Sequence, residues 1–161
     1  MSASRVLFSA QTGKWNTPSE LYVVLSAEFG FTLDPCPENG DALIMENDGL
    51  ARPWTGQRVY CNPPYGRNVW RWLAKAREAD VAVYLLPART DTAWWHDYAL
   101  CADEIRFIRG RLHFSEGGPA PFPSVVLVYR ATVGQEGPQP PAGASNASGG
   151  YIGLPSPGRT R

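Results

Sequence analysis

Residues 58–66 read RVYCNPPYG, a short apolar run that ends in an amide, two prolines and a tyrosine. The run predicts a β-strand over residues 58–61, which must end before Pro63 because proline cannot continue a central ladder. Proline lacks an N–H and also restricts the backbone of the preceding residue. Two consecutive prolines therefore predict a stiff, extended hook at the end of the strand. An ordinary turn needs only one of them.

The groups on either side of these prolines indicate a ligand site. The side-chain oxygen of Asn62 and the backbone oxygen of Pro63 are two hydrogen-bond acceptors. The ring of Tyr65 adds a flat aromatic surface close to them. Two acceptors beside an aromatic plane suit a planar substrate that carries an NH2 group. We name Asn62, Pro63, Pro64 and Tyr65 the NPPY hook and take it as the candidate catalytic site.

Outward from the hook, apolar runs alternate with helical patterns. Residues 81–86 (VAVYLL) are continuously apolar, which is typical of a strand buried on both faces. A helix is predicted to start with Thr17 as N-cap, Pro18 in the first turn and Glu20 completing a capping box, and to end at Gly30. The other predicted elements are helices over 68–76 and 92–102 and strands over 31–33, 105–108 and 124–129. This order predicts an α/β fold with a mostly parallel sheet and helices on both faces.

Composition limits the possible classes of protein. The 161 residues suffice for one domain with a real core. We expect that domain over 15–130, an N-terminal extension over 1–14, and a disordered Pro/Gly/Ser-rich tail over 131–161. The three cysteines contain no C-x-x-C pair, so reduced thiols and no metal site are expected. We expect neither a signal peptide nor a membrane span, which predicts a cytoplasmic protein.

The distribution of charge leaves a polyanionic partner possible. The formal net charge is zero, which argues against a simple electrostatic nucleic-acid binder. However, residues 1–50 hold seven acids and two bases, whereas residues 51–161 hold eight acids and thirteen bases. One face of such a protein can meet a polyanion, although the same residues can also form ordinary solvated surfaces. The candidate substrate-binding bases are Arg67, Arg89, Arg109 and Arg111, with pairing to acids as the alternative.

The hook and several other motifs together resemble a known family. N-P-P-Y after a strand resembles the catalytic motif of amino-group methyltransferases. Over roughly residues 15–130, the ordered set resembles the phage-type (Dam-like) DNA N6-adenine methyltransferase family. The motifs are Trp15-Asn16-Thr17-Pro18, Phe31-Thr32-Leu33-Asp34, Asp48-Gly49-Leu50, Cys61-Asn62-Pro63-Pro64-Tyr65, Leu86-Pro87-Ala88-Arg89-Thr90 and Gly110-Arg111-Leu112-His113-Phe114.

The resemblance implies a Rossmann-like, S-adenosylmethionine-dependent methyltransferase fold and a reaction. A methyl group would pass by direct in-line displacement to the N6 amino group of an adenine flipped out of double-stranded DNA. Asn62 and Pro63 would accept hydrogen bonds from that amino group while the adenine stacks on Tyr65. Two alternatives stay open: another amino acceptor (cytosine N4, an RNA base or a protein glutamine), or an inactive remnant that binds cofactor or DNA. The setting implied is the cytoplasm of a bacterium or phage-infected host, with a monomer or weak dimer.

The same resemblance assigns the cofactor. Ligands of such sheets bind outside the carboxyl ends of the strands, and the loop over 34–40 resembles the one that wraps the methionyl end of the cofactor. The first amides of the helix that follows Trp15 can bind the cofactor carboxylate. Glu46 is expected on the ribose and Asp48 on the adenine. The candidate cofactor residues are Trp15, Thr17, Pro18, Asp34, Pro35, Cys36, Gly40, Glu46 and Asp48. Trp15 as a core residue, Thr17 as a cap and Asp34 as a turn residue are the structural alternatives.

Overall fold

The computed structural model of the chain describes residues 15–37, 49–114 and 118–131. The helices are α1 (Ser19–Phe29), α2 (Val69–Ala74) and α3 (Ala93–Asp97), with 3₁₀ turns over Ala76–Glu78 and Ala99–Cys101. The strands are β1 (Arg58–Cys61), β2 (Val81–Pro87), β3 (Glu104–Phe107) and β4 (Ser124–Arg130). Among the described residues, no helix is long and apolar enough to cross a membrane. Helices and strands alternate along the chain, so the fold is of the mixed α/β class, as predicted.

The strands form one open sheet in the order β1-β2-β4-β3. β1 pairs parallel with β2, whereas β4 lies antiparallel between β2 and β3. The predicted strand over 31–33 is reduced to a parallel bridge from Leu33 to Val59, which adds to the outer edge of β1. The prediction of a mostly parallel sheet is thus wrong at β4. The chain leaves β3 and enters β4 at the same edge of the sheet, and such a connection makes the two strands antiparallel.

Alternate residues of β2 face two separate hydrophobic clusters, one on each side of the sheet. Ala82, Tyr84 and Leu86 face the first cluster, while residues 81, 83 and 85 face the second. Trp72 and Leu73 of α2 and Trp95 of α3 cover the first cluster, and Leu25 and Phe29 of α1 cover the second. Helices therefore lie on both faces, as predicted. Full burial of a side chain of this size contributes about 1.5–3 kcal/mol, so both layers stabilise the sheet that carries the hook.

Two local predictions fail at helix ends. α1 begins at Ser19 with Pro18 in the N-cap position and no side-chain cap, so the predicted Thr17 cap is wrong. Its other end agrees with prediction, because Gly30 adopts the left-handed conformation with φ of 59°. The predicted helix over 92–102 is divided into α3 and a 3₁₀ turn at Tyr98. The backbone oxygen of Tyr98 accepts a 2.8 Å hydrogen bond from the buried Tyr129 hydroxyl, which fixes the chain where the α-helix ends.

Candidate active site

The carboxyl ends of β1, β2 and β3 meet at one edge of the sheet. These three strands run in the same direction because β4 is antiparallel to both of its neighbours. The NPPY hook follows β1 there, and the parallel bridge from Leu33 brings the Asp34 turn to the same edge. Residues 88–92 and 108–114 leave β2 and β3 at this edge too. The topology thus gathers the loops that the sequence singled out.

The Asn62 side chain is held by the segment before α1. Its Nδ2 atom donates hydrogen bonds to the backbone oxygen of Trp15 and to Oγ1 of Thr17, the latter at 3.1 Å. A backbone carbonyl can only accept, so the amide nitrogen must face Trp15 and the amide oxygen must point away. Among the described residues, none donates a hydrogen bond to Oδ1 of Asn62. Asn62 therefore presents a fixed, available acceptor.

A second acceptor lies one residue further along. No backbone N–H of the described residues bonds to the carbonyl oxygen of Pro63. The Asn62 side chain is half-buried and Pro63 is buried, so both oxygens belong to a sheltered part of the hook. Within the described part of the chain, these two acceptors therefore take no part in holding the fold together.

Tyr65, the last residue of the hook, packs its ring on a neighbouring aromatic side chain and turns its hydroxyl into the protein. Its ring packs edge-to-face on Phe122, with centroids 5.6 Å apart. The hydroxyl points inward and donates only a long 3.5 Å hydrogen bond to the backbone oxygen of Leu85. Burial of the phenol raises the pKa of Tyr65 well above its usual value, with smaller contributions from Tyr60 and Cys61. The phenol therefore stays neutral, although the residue as a whole is partly exposed.

An aromatic wall connects the start of the domain to the loop before β4. The Trp15 ring contacts Phe114 and Phe122 at centroid distances of 5.0 and 5.3 Å, both edge-to-face. The Trp15 ring thus takes the core position given as the alternative to a cofactor role. Its carbonyl also holds Asn62, a contact that the sequence did not predict, and its cofactor role stays a prediction. No motif marks Phe122, and Phe114 appears in the sequence only as the last residue of the GRLHF motif.

The Asp34 turn is built tightly against the core. Oδ1 of Asp34 accepts a 2.8 Å hydrogen bond from the backbone N–H of Cys36, so the carboxylate does stabilise its own turn. A Cβ atom on Gly49 would lie 2.4 Å from the Pro35 carbonyl oxygen and 2.9 Å from the Trp72 ring. Glycine is thus required where this turn meets α2. The close contact of Gly49 with Pro35 and Trp72 holds the Asp34 turn in place at the edge of the sheet.

The two cysteines beside the site are packing residues. Cys36 and Cys61 are buried in the first cluster. Burial raises the pKa of the Cys61 thiol, and its hydrogen bond with Cys36 raises it further. The thiol stays protonated at neutral pH, which disfavours a nucleophilic role.

The four candidate arginines lie on the loops of the site edge. Arg67, Arg109 and Arg111 are exposed, and Arg89 is half-buried. None of the four forms an ion pair with another described residue. Gly110, between two of them, has φ of 81° and turns the chain sharply. Gly40, Glu46 and Asp48 lie outside the described residues, so their cofactor roles stay predictions.

These observations define an α/β protein with an amide, an aromatic ring and four arginines at the carboxyl edge of its sheet. The model of a family described as DNA N-6-adenine-methyltransferase (Dam) matches residues 5–131, and the chain belongs to this family. The match covers the whole sheet and the hook, and it confirms the resemblance drawn from the motifs. No curated protein and no solved structure matches the chain.

Proposed function

We propose that this protein transfers a methyl group from S-adenosylmethionine to the N6 amino group of adenine in DNA, which releases S-adenosylhomocysteine and one proton from N6. The observation that carries the proposal is the fixed Asn62 carboxamide, whose oxygen receives no hydrogen bond from a described residue and belongs to the same hook as the Pro63 carbonyl and the Tyr65 ring. Membership of the Dam family supports DNA adenine as the acceptor. We also propose that the sheet is the Rossmann-like fold of S-adenosylmethionine-dependent methyltransferases, with β4 as its antiparallel strand.

The hook acts on an amino group that is a poor nucleophile. The nitrogen lone pair of adenine N6 is delocalised into the ring. Hydrogen bonds from its two N–H groups to Asn62 Oδ1 and to the Pro63 carbonyl favour a tetrahedral nitrogen, on which the lone pair is localised for attack. An adenine flipped from the duplex stacks on the Tyr65 ring, which holds it in the plane of these acceptors. Catalysis is then mainly positioning, which supplies several orders of magnitude when the geometry is right.

The described residues fit S-adenosylmethionine at the neighbouring loops. The N-terminus of α1 lacks a side-chain cap, so its first amides suit the cofactor carboxylate, with Trp15, Thr17 and Pro18 leading into it. The Asp34-Pro35-Cys36 turn lies at the same edge and suits the methionyl end. When bound, the cofactor supplies an electrophilic methyl group on its sulfonium sulfur. No phosphate cradle is needed, since this cofactor has no phosphate.

Double-stranded DNA is the proposed partner of the arginines. Arg67, Arg109 and Arg111 are exposed and unpaired among the described residues, as a phosphate-binding surface requires. We propose that residues 66–71, which span the end of the hook and the first turn of α2, and residues 109–123 read the target sequence, with Arg89 closer to the cofactor or flipped base. The protein would act as a monomer or weak dimer in the cytoplasm of a bacterium or phage-infected cell.

The test is transfer of labelled methyl from S-adenosylmethionine to unmethylated DNA, followed by digestion and identification of the modified nucleoside. We expect N6-methyladenine from the wild type and none from Asn62→Ala, with cofactor affinity nearly unchanged in calorimetry. Label in cytosine, RNA or a glutamine amide would transfer the proposal to that acceptor. Retained activity in Asn62→Ala would refute the role of the hook, and cofactor binding without transfer to any acceptor would indicate an inactive remnant.

A further inference from the structure

We propose that Thr17, supported by Tyr60, is a positioning residue that holds the Asn62 carboxamide with its oxygen toward the target amino group. The inference rests on the proposed function, because it explains how the Asn62 acceptor is fixed before a base arrives. It assigns to Thr17 a task different from capping α1 or binding the cofactor. We name the Trp15 carbonyl, the Thr17 hydroxyl and the Tyr60 hydroxyl the amide clamp.

Both N–H donors of the Asn62 side chain have acceptors in the clamp. Nδ2 carries two hydrogens, and the clamp offers it two acceptors, the Trp15 carbonyl oxygen and Thr17 Oγ1. A flipped amide would turn Oδ1 toward the Trp15 oxygen, so two acceptors would face each other without a hydrogen. It would also remove the acceptor from the place where the substrate amino group must bind. The clamp therefore selects one of the two amide orientations.

The Thr17 hydroxyl is itself held by a hydrogen bond with the Tyr60 hydroxyl. Thr17 Oγ1 lies 2.6 Å from the Tyr60 hydroxyl, in the range of a strong O–H···O hydrogen bond. Whichever hydroxyl donates in that bond, the Thr17 oxygen keeps a lone pair for Asn62. Tyr60 is 2% exposed, and its ring packs edge-to-face on Tyr22 with centroids 5.1 Å apart. A rigid core residue thus fixes the hydroxyl that orients Asn62.

The Thr17 hydroxyl does not cap α1. A threonine next to the start of a helix commonly caps it, which contributes about 1 kcal/mol. Here the hydroxyl makes no capping bond and bridges Tyr60 and Asn62 instead. The same hydroxyl thus joins β1 to the first residue of the hook. A role in stabilising α1 alone does not explain why the Thr17 hydroxyl bonds to Tyr60 and Asn62.

The experiment compares Thr17→Val with Thr17→Ser in DNA methylation kinetics. Valine keeps the shape and removes the hydrogen-bonding oxygen, whereas serine keeps the oxygen. We expect Thr17→Val to lower kcat about 10- to 100-fold with little change in KM for DNA, as misplacement of a reacting group does. Thr17→Ser should retain most of the wild-type kcat, and Tyr60→Phe should have an intermediate effect because the bond from Asn62 to Thr17 remains.

Thr32→Val is the matched control. The Thr32 hydroxyl also makes two hydrogen bonds, to Gln57 and from the backbone N–H of Arg58, but it does not contact Asn62. We expect its kcat to equal that of the wild type at a similar loss of stability. Equal losses of kcat in Thr17→Val and Thr32→Val, or a wild-type kcat in Thr17→Val, would overturn the proposal. So would a change confined to the KM and Kd of the cofactor, which would make Thr17 a cofactor contact.

A second readout does not depend on turnover. In a ¹⁵N-labelled sample, the side-chain NH2 signals of Asn62 should move upfield and exchange faster in Thr17→Val, while Thr17→Ser and Thr32→Val should leave them near their wild-type positions. If the wild type transfers no methyl to DNA, the proposed function fails, yet these signals still report whether the clamp exists. Unchanged Asn62 signals in Thr17→Val would show that Thr17 does not orient the amide.

Discussion

At the amino end of the sheet, Arg77 donates hydrogen bonds to Asp103, to the Arg130 carbonyl and to the Cys101 carbonyl at 2.7–2.9 Å. The Arg130 N–H completes this cluster with a 2.6 Å bond to Asp103. At the carboxyl end, Asn62 is held just as firmly, but only through its donors. Around Arg77, the guanidinium donors and the Asp103 acceptor are paired with each other inside the protein. Around Asn62, the side-chain oxygen is oriented but is left for a donor from a bound molecule. The difference separates a polar group that fixes the fold from one that is kept ready for a substrate.

The largest expected effect comes from converting Asn62 into a group that accepts but cannot donate. In Asn62→Asp, an ionised carboxylate oxygen would face the Trp15 carbonyl oxygen, so this part of the clamp would repel the side chain that it now holds. The carboxylate still accepts hydrogen bonds but is displaced, so we expect methyl transfer at neutral pH to fall about 100-fold, as for misplacement of a reacting group. Initial rates measured with thermal melting check this. A fully active, normally stable Asn62→Asp would show that the donors of Asn62 do not matter.

The next prediction concerns the Asp34 turn at the carboxyl edge of the sheet. In Gly49→Ala, the new Cβ would overlap the Pro35 carbonyl and the Trp72 ring. We expect a loss of about 3 kcal/mol in the free energy of unfolding and weaker cofactor binding, because the Asp34 turn must shift. Gly66→Ala is the control, since no atom lies within 4 Å of its added Cβ. Urea unfolding and calorimetry measure both. Equal stability of the two variants would contradict the close approach at Gly49.

A smaller loss of stability is expected from breaking the hydrogen bonds around Arg77 at the amino end of the sheet. Arg77→Ala removes a guanidinium that also lies over the Tyr129 ring, at 5.6 Å from its centroid. Because the Asp103 side chain is partly exposed, we expect about 2 kcal/mol of stability to be lost. The kcat of the folded fraction should stay at the wild-type value, since the Asn62 clamp is untouched. A lower kcat without loss of stability would show that the two ends are coupled.

Those parts of the fold that depend on neighbouring residues were predictable from the sequence. β1 ends at Cys61 because two prolines follow within three residues, and the continuous apolar run gives β2. The direction of β4 was not predictable, because an apolar strand reads the same whether it pairs parallel or antiparallel. Pattern alone therefore identified the layers and the hook but misassigned one strand.

The hook was readable because its special residues are adjacent, whereas its support is distant in the sequence. Thr17 lies 45 residues before Asn62 and 43 before Tyr60. Its sequence context favours a helix cap, and only the packing of α1 beside β1 shows the hydroxyl turned toward the hook. Tyr60 itself reads as an ordinary strand residue. A lone hydroxyl that positions another side chain carries no spacing signal.

The smallest expected effect distinguishes the ring of Tyr65 from its hydroxyl. The hydroxyl makes only the 3.5 Å contact with Leu85, and its raised pKa keeps it protonated from neutral to mildly alkaline pH. Tyr65→Phe should therefore keep kcat within about threefold and leave the pH profile unchanged, whereas Tyr65→Ala should lose the stacking surface, worth about 1–3 kcal/mol per base. Rates on DNA across that pH range check both variants. A pH profile that shifts in Tyr65→Phe would assign the phenol a proton-transfer role, and the site end would then hold a second reactive group beside the oriented oxygen of Asn62.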